Sequence, residues 1–164
     1  MVEDEAGVEA ALIAYADAWL LNRADALPAH WDAAHFAFYK AEEVREFYAD
    51  FARVTAYWQQ NEGLHDAIRL RLGAIQHIVI APGVRMATFP MAWDIRFAAD
   101  ARLANGMDFH HRGKAMGGSN SVLAMLRRTD MGWKLTGWSE TPDAAITYLT
   151  QLYYQSAAAD FRPG

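Results

Sequence analysis

The chain has 164 residues, a length that suits one domain burying roughly 70% of its extended-chain surface around a single core. Its lack of cysteine excludes disulfides, thiolate nucleophiles and cysteine-ligated metal sites, and fits a reducing cytoplasm. The formal charge of −5 argues against a nucleic-acid surface, and no apolar run is long enough to predict a membrane span, so we expect one cytoplasmic domain over residues 1–164.

The first third of the chain shows the three- and four-residue spacing of amphipathic helices. This spacing predicts a helix over residues 8–21 and a short second helix over 26–31, whose first turn tolerates Pro28. A short strand follows over residues 35–39, and a third helix is predicted from residue 41 to about 61.

The second half of the chain changes to two-residue alternation, which predicts an antiparallel sheet. We expect a long strand over residues 68–80 that bends at Gly73, followed by a strand over 84–97. A hairpin of residues 119–128 and 132–140 closes the sheet.

Two further segments are predicted from turn and capping signals. Residues 98–118 are polar and contain glycine, which indicates a loop. Thr141 as N-cap and Pro142 in the first turn predict a last helix that runs to about residue 158.

The strand over residues 84–97 separates a large apolar face from a small and polar one. We expect the small and polar face, which carries Asp94, to line a cavity. The apolar face is then left for the outside of the sheet, where Phe89, Met91 and Trp93 would form a homodimer interface. A hydrophobic content of 53%, with six tryptophans, is high enough to supply both a pocket and a subunit interface.

His77 is the first candidate for acid–base chemistry, because it interrupts the apolar run 75–80 and imidazole titrates near neutral pH. Adjacent antiparallel strands can bring Asp94 within hydrogen-bond range of this ring, where a carboxylate would orient it. Such a pair could move a proton. The alternative is a structural hydrogen bond that satisfies two buried polar groups.

The order of elements and the closing hairpin, Arg127-Arg128-Thr129-Asp130-Met131-Gly132-Trp133-Lys134-Leu135, resemble SnoaL-like members of the nuclear transport factor 2-like superfamily. The resemblance covers about residues 8–142. It implies an α+β fold in which a cone-shaped, curved antiparallel sheet wraps around N-terminal helices, as in cystatin-like proteins, with a pocket inside. The C-terminal helix would then be a lid. The superfamily contains isomerases, dehydratases and noncatalytic binders, so the fold does not specify the chemistry.

Two branches of the superfamily can be compared residue by residue. Tyr15 aligns with the oxyanion-hole tyrosine of ketosteroid isomerase, but Tyr39 occupies the place of that enzyme's proton-abstracting aspartate. Gln76-His77 resembles the Gln-His strand motif of scytalone dehydratase, and Tyr39 aligns with its active-site tyrosine. Asp94 stands where that family has a second catalytic histidine. The resemblance therefore implies a His/Tyr-based site rather than the scytalone dehydratase reaction itself.

The same resemblance indicates residues that would contact a ligand. Asn120 corresponds loosely to a position that grips substrate, and Trp138 falls at an apolar pocket position. Tyr15, Trp19, Trp31 and Trp138 would form an aromatic lining that stacks on a flat ring, although Tyr15 and Trp19 also have the helical spacing of ordinary core residues.

These observations predict a domain that binds a small hydrophobic or aromatic molecule, and a cofactor-free lyase or isomerase is the leading hypothesis. His77 would be the acid or base, Asp94 its orienting partner, and Tyr39 a hydrogen-bond donor to substrate oxygen. We expect no cofactor, no metal ion, and a homodimer formed through the outer sheet face. The alternative is a noncatalytic ligand-binding or interaction module of the same fold.

Overall fold

The computed structural model describes residues 2–103 and 105–144 of the chain. Helix α1 spans Val2–Leu20 and helix α2 spans Phe51–Glu62. Single 3-10 turns lie between them, at Ala24–Ala26, Pro28–His30 and Ala33–His35. The first predicted helix is therefore confirmed with an earlier start, whereas the short second one is a pair of 3-10 turns around Leu27.

The strands of the described residues form one curved sheet that does not close on itself. Their order is β1-β6-β5-β4-β2, and β3 pairs with the part of β4 that β2 leaves free. Pairing between β1 and β6 is parallel and the other pairings are antiparallel, so the sheet is mixed. The strand bounds are β1 Phe38–Lys40, β2 His65–Leu72, β3 Gln76–Ala81, β4 Val84–Phe97, β5 Ala115–Thr129 and β6 Gly132–Pro142.

The strand predicted over residues 68–80 is divided at the bend expected at Gly73. The Gly73 amide donates to the carbonyl of Pro90 at 2.7 Å, and a Cβ at Gly73 would lie only 2.6 Å from Pro90 Cγ. Only glycine lets the two chains approach so closely. The segments on either side of this contact form β2 and β3, which pair with opposite ends of β4.

The helix predicted from residue 41 is wrong in its first half. The Tyr48 and Tyr39 backbones exchange two hydrogen bonds of 2.9 Å, which fold residues 41–50 back against β1. Helix α2 begins only after Asp50, whose carboxylate caps it by accepting from the Ala52 amide at 3.0 Å. Here a tertiary pairing overrides the helical spacing of the apolar residues.

The prediction for the two faces of β4 is wrong: the apolar face points inward and the small, polar face points outward. Phe89 and Met91 are 4% and 1% exposed and belong to the core beneath the helices, and Trp93 packs against that core. The small and polar set, including Asp94, lies on the outer face. Burying the large apolar set against the helices removes the most apolar surface from water, so this face points inward.

The start of the predicted C-terminal helix is also wrong. Thr141 pairs with Ser121 and Pro142 with Asn120, so both residues extend β6. The rest of that helix, to about residue 158, lies outside the described residues.

Candidate functional site

A cavity of about 510 Å³ opens between the helices and the inner face of the sheet. Its volume falls within the usual range for small-molecule sites. Its aliphatic walls come mainly from β2 and β4. The aromatic walls come from α1, β1, α2, β4 and the loop before β5, with the side chains Trp19, Tyr39, Tyr57, Trp58, Trp93, Phe97 and Phe109.

Glu140 supplies a half-buried carboxyl group to this cavity. Its Oε1 accepts from the Trp138 indole N–H at 2.6 Å, and its Oε2 accepts from Asn120 Nδ2 at 3.0 Å and from the Glu42 amide at 3.4 Å. Burial, with a smaller contribution from the charge of Glu43 and against the lowering effect of these donors, raises the pKa of Glu140 to about 7. The carboxyl therefore exchanges its proton near neutral pH.

Strand alternation explains how Glu140 comes to this position. Trp138 and Glu140 are two residues apart on β6 and share its inner face. Asn120, 1% exposed on β5, lies on the same face and also accepts a 3.4 Å hydrogen bond from the Trp93 indole N–H. The resulting line of hydrogen bonds fixes the carboxyl group relative to the aromatic wall.

Two tyrosine hydroxyls stand near this carboxyl group. Tyr39 is 2% exposed, and Tyr57 donates its hydroxyl to the Glu43 carboxylate at the cavity wall. Burial is the main cause that raises the pKa of both phenols, and nearby carboxylate charge raises them further. Both groups therefore stay protonated at neutral pH and can donate hydrogen bonds.

His65 brings an imidazole to the cavity from the start of β2. Burial lowers the pKa of this ring, opposed by the charge of Glu43, and the ring packs against Phe97 at a centroid distance of 5.5 Å. A neutral imidazole can accept a proton from a bound molecule.

Sequence analysis missed Glu140, His65, Tyr57 and Glu43. Glu140 had a usable signal, because it lies two residues beyond Trp138, a predicted pocket residue, and alternation places both on one face. The others depend on how α2 and the turn before it fold over the sheet.

His77 and Asp94 are not brought together. His77 pairs with Ala87 on the inner face, and its Nε2 lies 3.2 Å from Glu9 Oε1 on α1. Asp94 lies on the outer face, where its carboxylate accepts from Arg69 at 2.7 Å and from Arg71. The predicted hydrogen bond is therefore wrong, and neither residue is part of the cavity lining.

The other predicted site residues divide between the cavity and the layer beneath it. Trp19 and Tyr39 line the cavity, and Asn120 holds its carboxyl group. Tyr15 and Trp31 are 1% and 6% exposed and do not line it. Trp138 packs on Tyr15 at 5.3 Å between ring centroids and also donates to Glu140, so these rings support the site from below.

Comparison with known proteins identifies the fold. One similar structure is a protein from Novosphingobium aromaticivorans provisionally named an aromatic ring hydroxylase, with a TM-score of 0.71, 14% identity and coverage of 88% of this chain and 92% of that one. A second, from Streptomyces avermitilis, is provisionally named a dehydratase of the nuclear transport factor 2-like family, with a TM-score of 0.71, 16% identity and coverage of 88% and 100%. A third, provisionally named a scytalone dehydratase and also from N. aromaticivorans, has a TM-score of 0.70, 7% identity and coverage of 87% and 86%.

The chain has the nuclear transport factor 2-like fold, as the sequence resemblance implied. No protein-family model and no curated protein matches the sequence. At these low identities the structural similarity establishes the fold and leaves the chemistry to the residues of the cavity. In the described part of the chain, no helix combines the length and the apolar character that crossing a membrane requires.

Proposed function

We propose that this domain binds a ring-bearing, largely apolar small molecule and catalyses a cofactor-free lyase or isomerase reaction on it. The observation that carries this proposal is the half-buried Glu140 carboxyl, with a pKa of about 7, beside the aromatic and aliphatic walls of the cavity. A group that titrates near the working pH is the best compromise between holding a proton and giving it away. The acid–base role is assigned to Glu140 rather than to His77, because His77 lies outside the cavity lining.

The neighbouring groups have complementary roles in this proposal. Tyr39 donates a hydrogen bond to an oxygen on which negative charge develops, while Tyr57, whose hydroxyl hydrogen is donated to Glu43, holds that carboxylate at the cavity wall. His65 is a second proton acceptor because it is neutral at pH 7. Trp19 and Trp93 hold a flat ring in place through stacking.

A noncatalytic binding domain is the second candidate, and one observation favours it. Three hydrogen bonds already reach the Glu140 carboxyl, from Trp138, Asn120 and the Glu42 amide. A carboxylate has about four acceptor positions, so little capacity remains for a substrate proton. In that case the carboxyl group would fix the cavity wall.

Hydrogen exchange at carbon separates the two candidates without knowledge of the substrate. Cyclic ketones such as 2-tetralone are incubated with the protein in D2O, and loss of the α-hydrogen signal is followed by NMR while binding is followed by tryptophan fluorescence. A catalyst accelerates exchange, and Glu140→Gln lowers that rate by about 100-fold or more. Asp94→Asn, on the outer face, is the matched control and retains the rate.

The outcomes of this experiment are distinct. Exchange at equal rates in the wild-type protein and Glu140→Gln would remove Glu140 as the acid or base. Binding of every ketone without exchange would select the noncatalytic domain. Absence of all binding would contradict both candidates.

The proposal includes a homodimer through the outer sheet face, with residues different from those first expected. An open groove on that face is lined by apolar side chains of β4 and β5, among them Met86, Leu123 and Met125. Phe47 at its margin is 56% exposed. Light scattering should give the mass of a dimer, and Met125→Glu should give that of a monomer, because a charge would be buried without a partner.

A further inference from the structure

The charged side chains that line the cavity are mostly acidic. Glu42, Glu43, Glu62 and Glu140 are the carboxylates. Arg23 is the guanidinium in the lining, but its side chain is 64% exposed and donates to Asp25 at 3.0 and 2.5 Å. With His65 neutral, the cavity presents an excess of negative charge to any molecule inside it.

Glu43 and Glu140 have hydrogen-bond donors but no positive partner. The ion pairs found among residues 2–103 and 105–144 include neither of these carboxylates. Their donors, Tyr57 for Glu43 and Trp138 and Asn120 for Glu140, are neutral. Glu140 is half-buried and Glu43 is exposed at the cavity wall, and a cation between the two carboxylates would remove their mutual repulsion.

The aromatic walls favour the same kind of ligand. The faces of tryptophan, tyrosine and phenylalanine rings carry partial negative charge and attract cations within about 6 Å, most strongly where water is excluded. Trp58 is 2% exposed and stands edge-on to Tyr39 at 5.7 Å between ring centroids, so both rings belong to this aromatic wall.

We infer that the natural ligand of this cavity is a ring-bearing amine, whose positively charged nitrogen pairs with Glu43 and Glu140 while its ring packs on the aromatic walls. This inference rests on the proposed function, since it concerns the same cavity. Carboxylate- and phosphate-bearing molecules are excluded, because each would bring a negative charge beside two carboxylates.

Three indanes of nearly equal shape provide the test: 2-aminoindane, 2-indanol and indane-2-carboxylate. Their affinities at pH 7.5 are measured by calorimetry on the whole chain. We expect 2-aminoindane to bind about tenfold or more tightly than 2-indanol, which corresponds to one charge-assisted contact. Indane-2-carboxylate should bind more weakly than either.

Variants then locate the charge that selects the amine. Glu43→Gln should reduce the ratio of 2-aminoindane to 2-indanol affinity at least threefold, and Glu43→Gln with Glu140→Gln should bring the ratio close to one. Glu46→Gln is the matched control, because Glu46 is an exposed glutamate that pairs with Arg53 at 2.6 Å away from the cavity. Should the double variant fail to fold, Glu43→Gln alone decides the question, since Glu43 is exposed.

The results separate this inference from the proposed function. Equal binding of the three indanes, or tightest binding of the carboxylate, would overturn the amine inference and leave the cavity as a neutral ligand site. An unchanged ratio in Glu43→Gln and the double variant would overturn it as well. If none of the indanes binds, the proposed function fails together with the inference.

Discussion

Charged side chains are arranged differently at the two ends of the inner face of the sheet. At one end, here called the anchored end, two separate contacts join α1 to the sheet: Glu9 pairs with His77, and Asp4 accepts from both Arg85 and Arg128. At the other, the cavity end, Glu43, His65 and Glu140 have no charged partner among the described residues. Paired charges fix a helix on a sheet, whereas unpaired ones are available to a ligand.

Arg85 is the centre of the anchored end. It is 6% exposed and donates to Asp4 Oδ2 at 3.1 Å and to two backbone carbonyls, while its guanidinium lies 5.5 Å from the Trp133 ring centroid. Asp4 also accepts from Arg128 at 2.8 Å. These contacts hold the first turns of α1 against β3, β4 and β5.

Arg85→Met, at the anchored end, should have the largest effect on stability. The substitution removes a buried guanidinium and leaves two backbone carbonyls without its hydrogen bonds, while Arg128 still pairs with Asp4, so we expect the free energy of unfolding to fall by about 3 kcal/mol. Indane binding at the cavity end should remain. Urea denaturation measures the first effect and calorimetry the second. Arg53→Met, which breaks an exposed pair, is the control, and an equal loss in both variants would show that the anchored end is not special.

A second prediction concerns stability against pH at the cavity end. Folding raises the pKa of Glu140 from 4.5 to about 7, so the folded state holds a proton that the unfolded chain has released. Stability should therefore fall as the pH rises from about 4.5 to 7, by on the order of 2 kcal/mol because the carboxyl group is partly solvated.

The variant Glu140→Gln tests this dependence of stability on pH. Urea midpoints of both proteins at pH 5 and pH 8 are compared, and the loss of stability between these values should be smaller in the variant. Taking the difference cancels other groups, including His65, whose lowered pKa acts in the opposite direction by making stability rise with pH. An identical pH dependence in both proteins would mean that Glu140 titrates normally.

The substitution His77→Gln should have the smallest effect on stability. The ring contributes one partly solvated contact to Glu9, and its Nδ1 has no partner in the described residues, so the loss should be about 1 kcal/mol or less. Ketone exchange and indane affinity should not change. A large loss of exchange activity would return His77 to the role first assigned to it and weaken the case for Glu140.

The sequence correctly predicts those secondary-structure elements whose hydrophobic pattern is unbroken. Strand β4 spans residues 84–97 as predicted, because its alternation is unbroken over its whole length. The pairing of His77 with Asp94 failed through register: His77 is opposite Ala87, and Asp94, an odd number of positions further on, points to the other face. The register of β3 on β4 is set by the tight turn at Pro82 and Gly83, which places Ala81 opposite Val84.

The two faces of β4 show a different limit of prediction from the sequence. Alternation identifies two faces but does not state which one the helices cover, and the cavity is lined by the apolar set rather than the polar one. The small and polar side of the strand was expected to be the cavity wall. In this fold the sheet contributes such groups mainly through Asn120 and Glu140 on β5 and β6, next to an apolar β4.

The contact of Gly73 with Pro90 divides β4 into two parts with different roles. On one side, β3 and the start of β4 carry the anchored end, and on the other, β2 and the end of β4 carry the cavity. Substitutions that reshape the cavity therefore need not disturb the pairs that hold α1. A scaffold divided in this way can acquire a new ligand in one half while the other half preserves its stability.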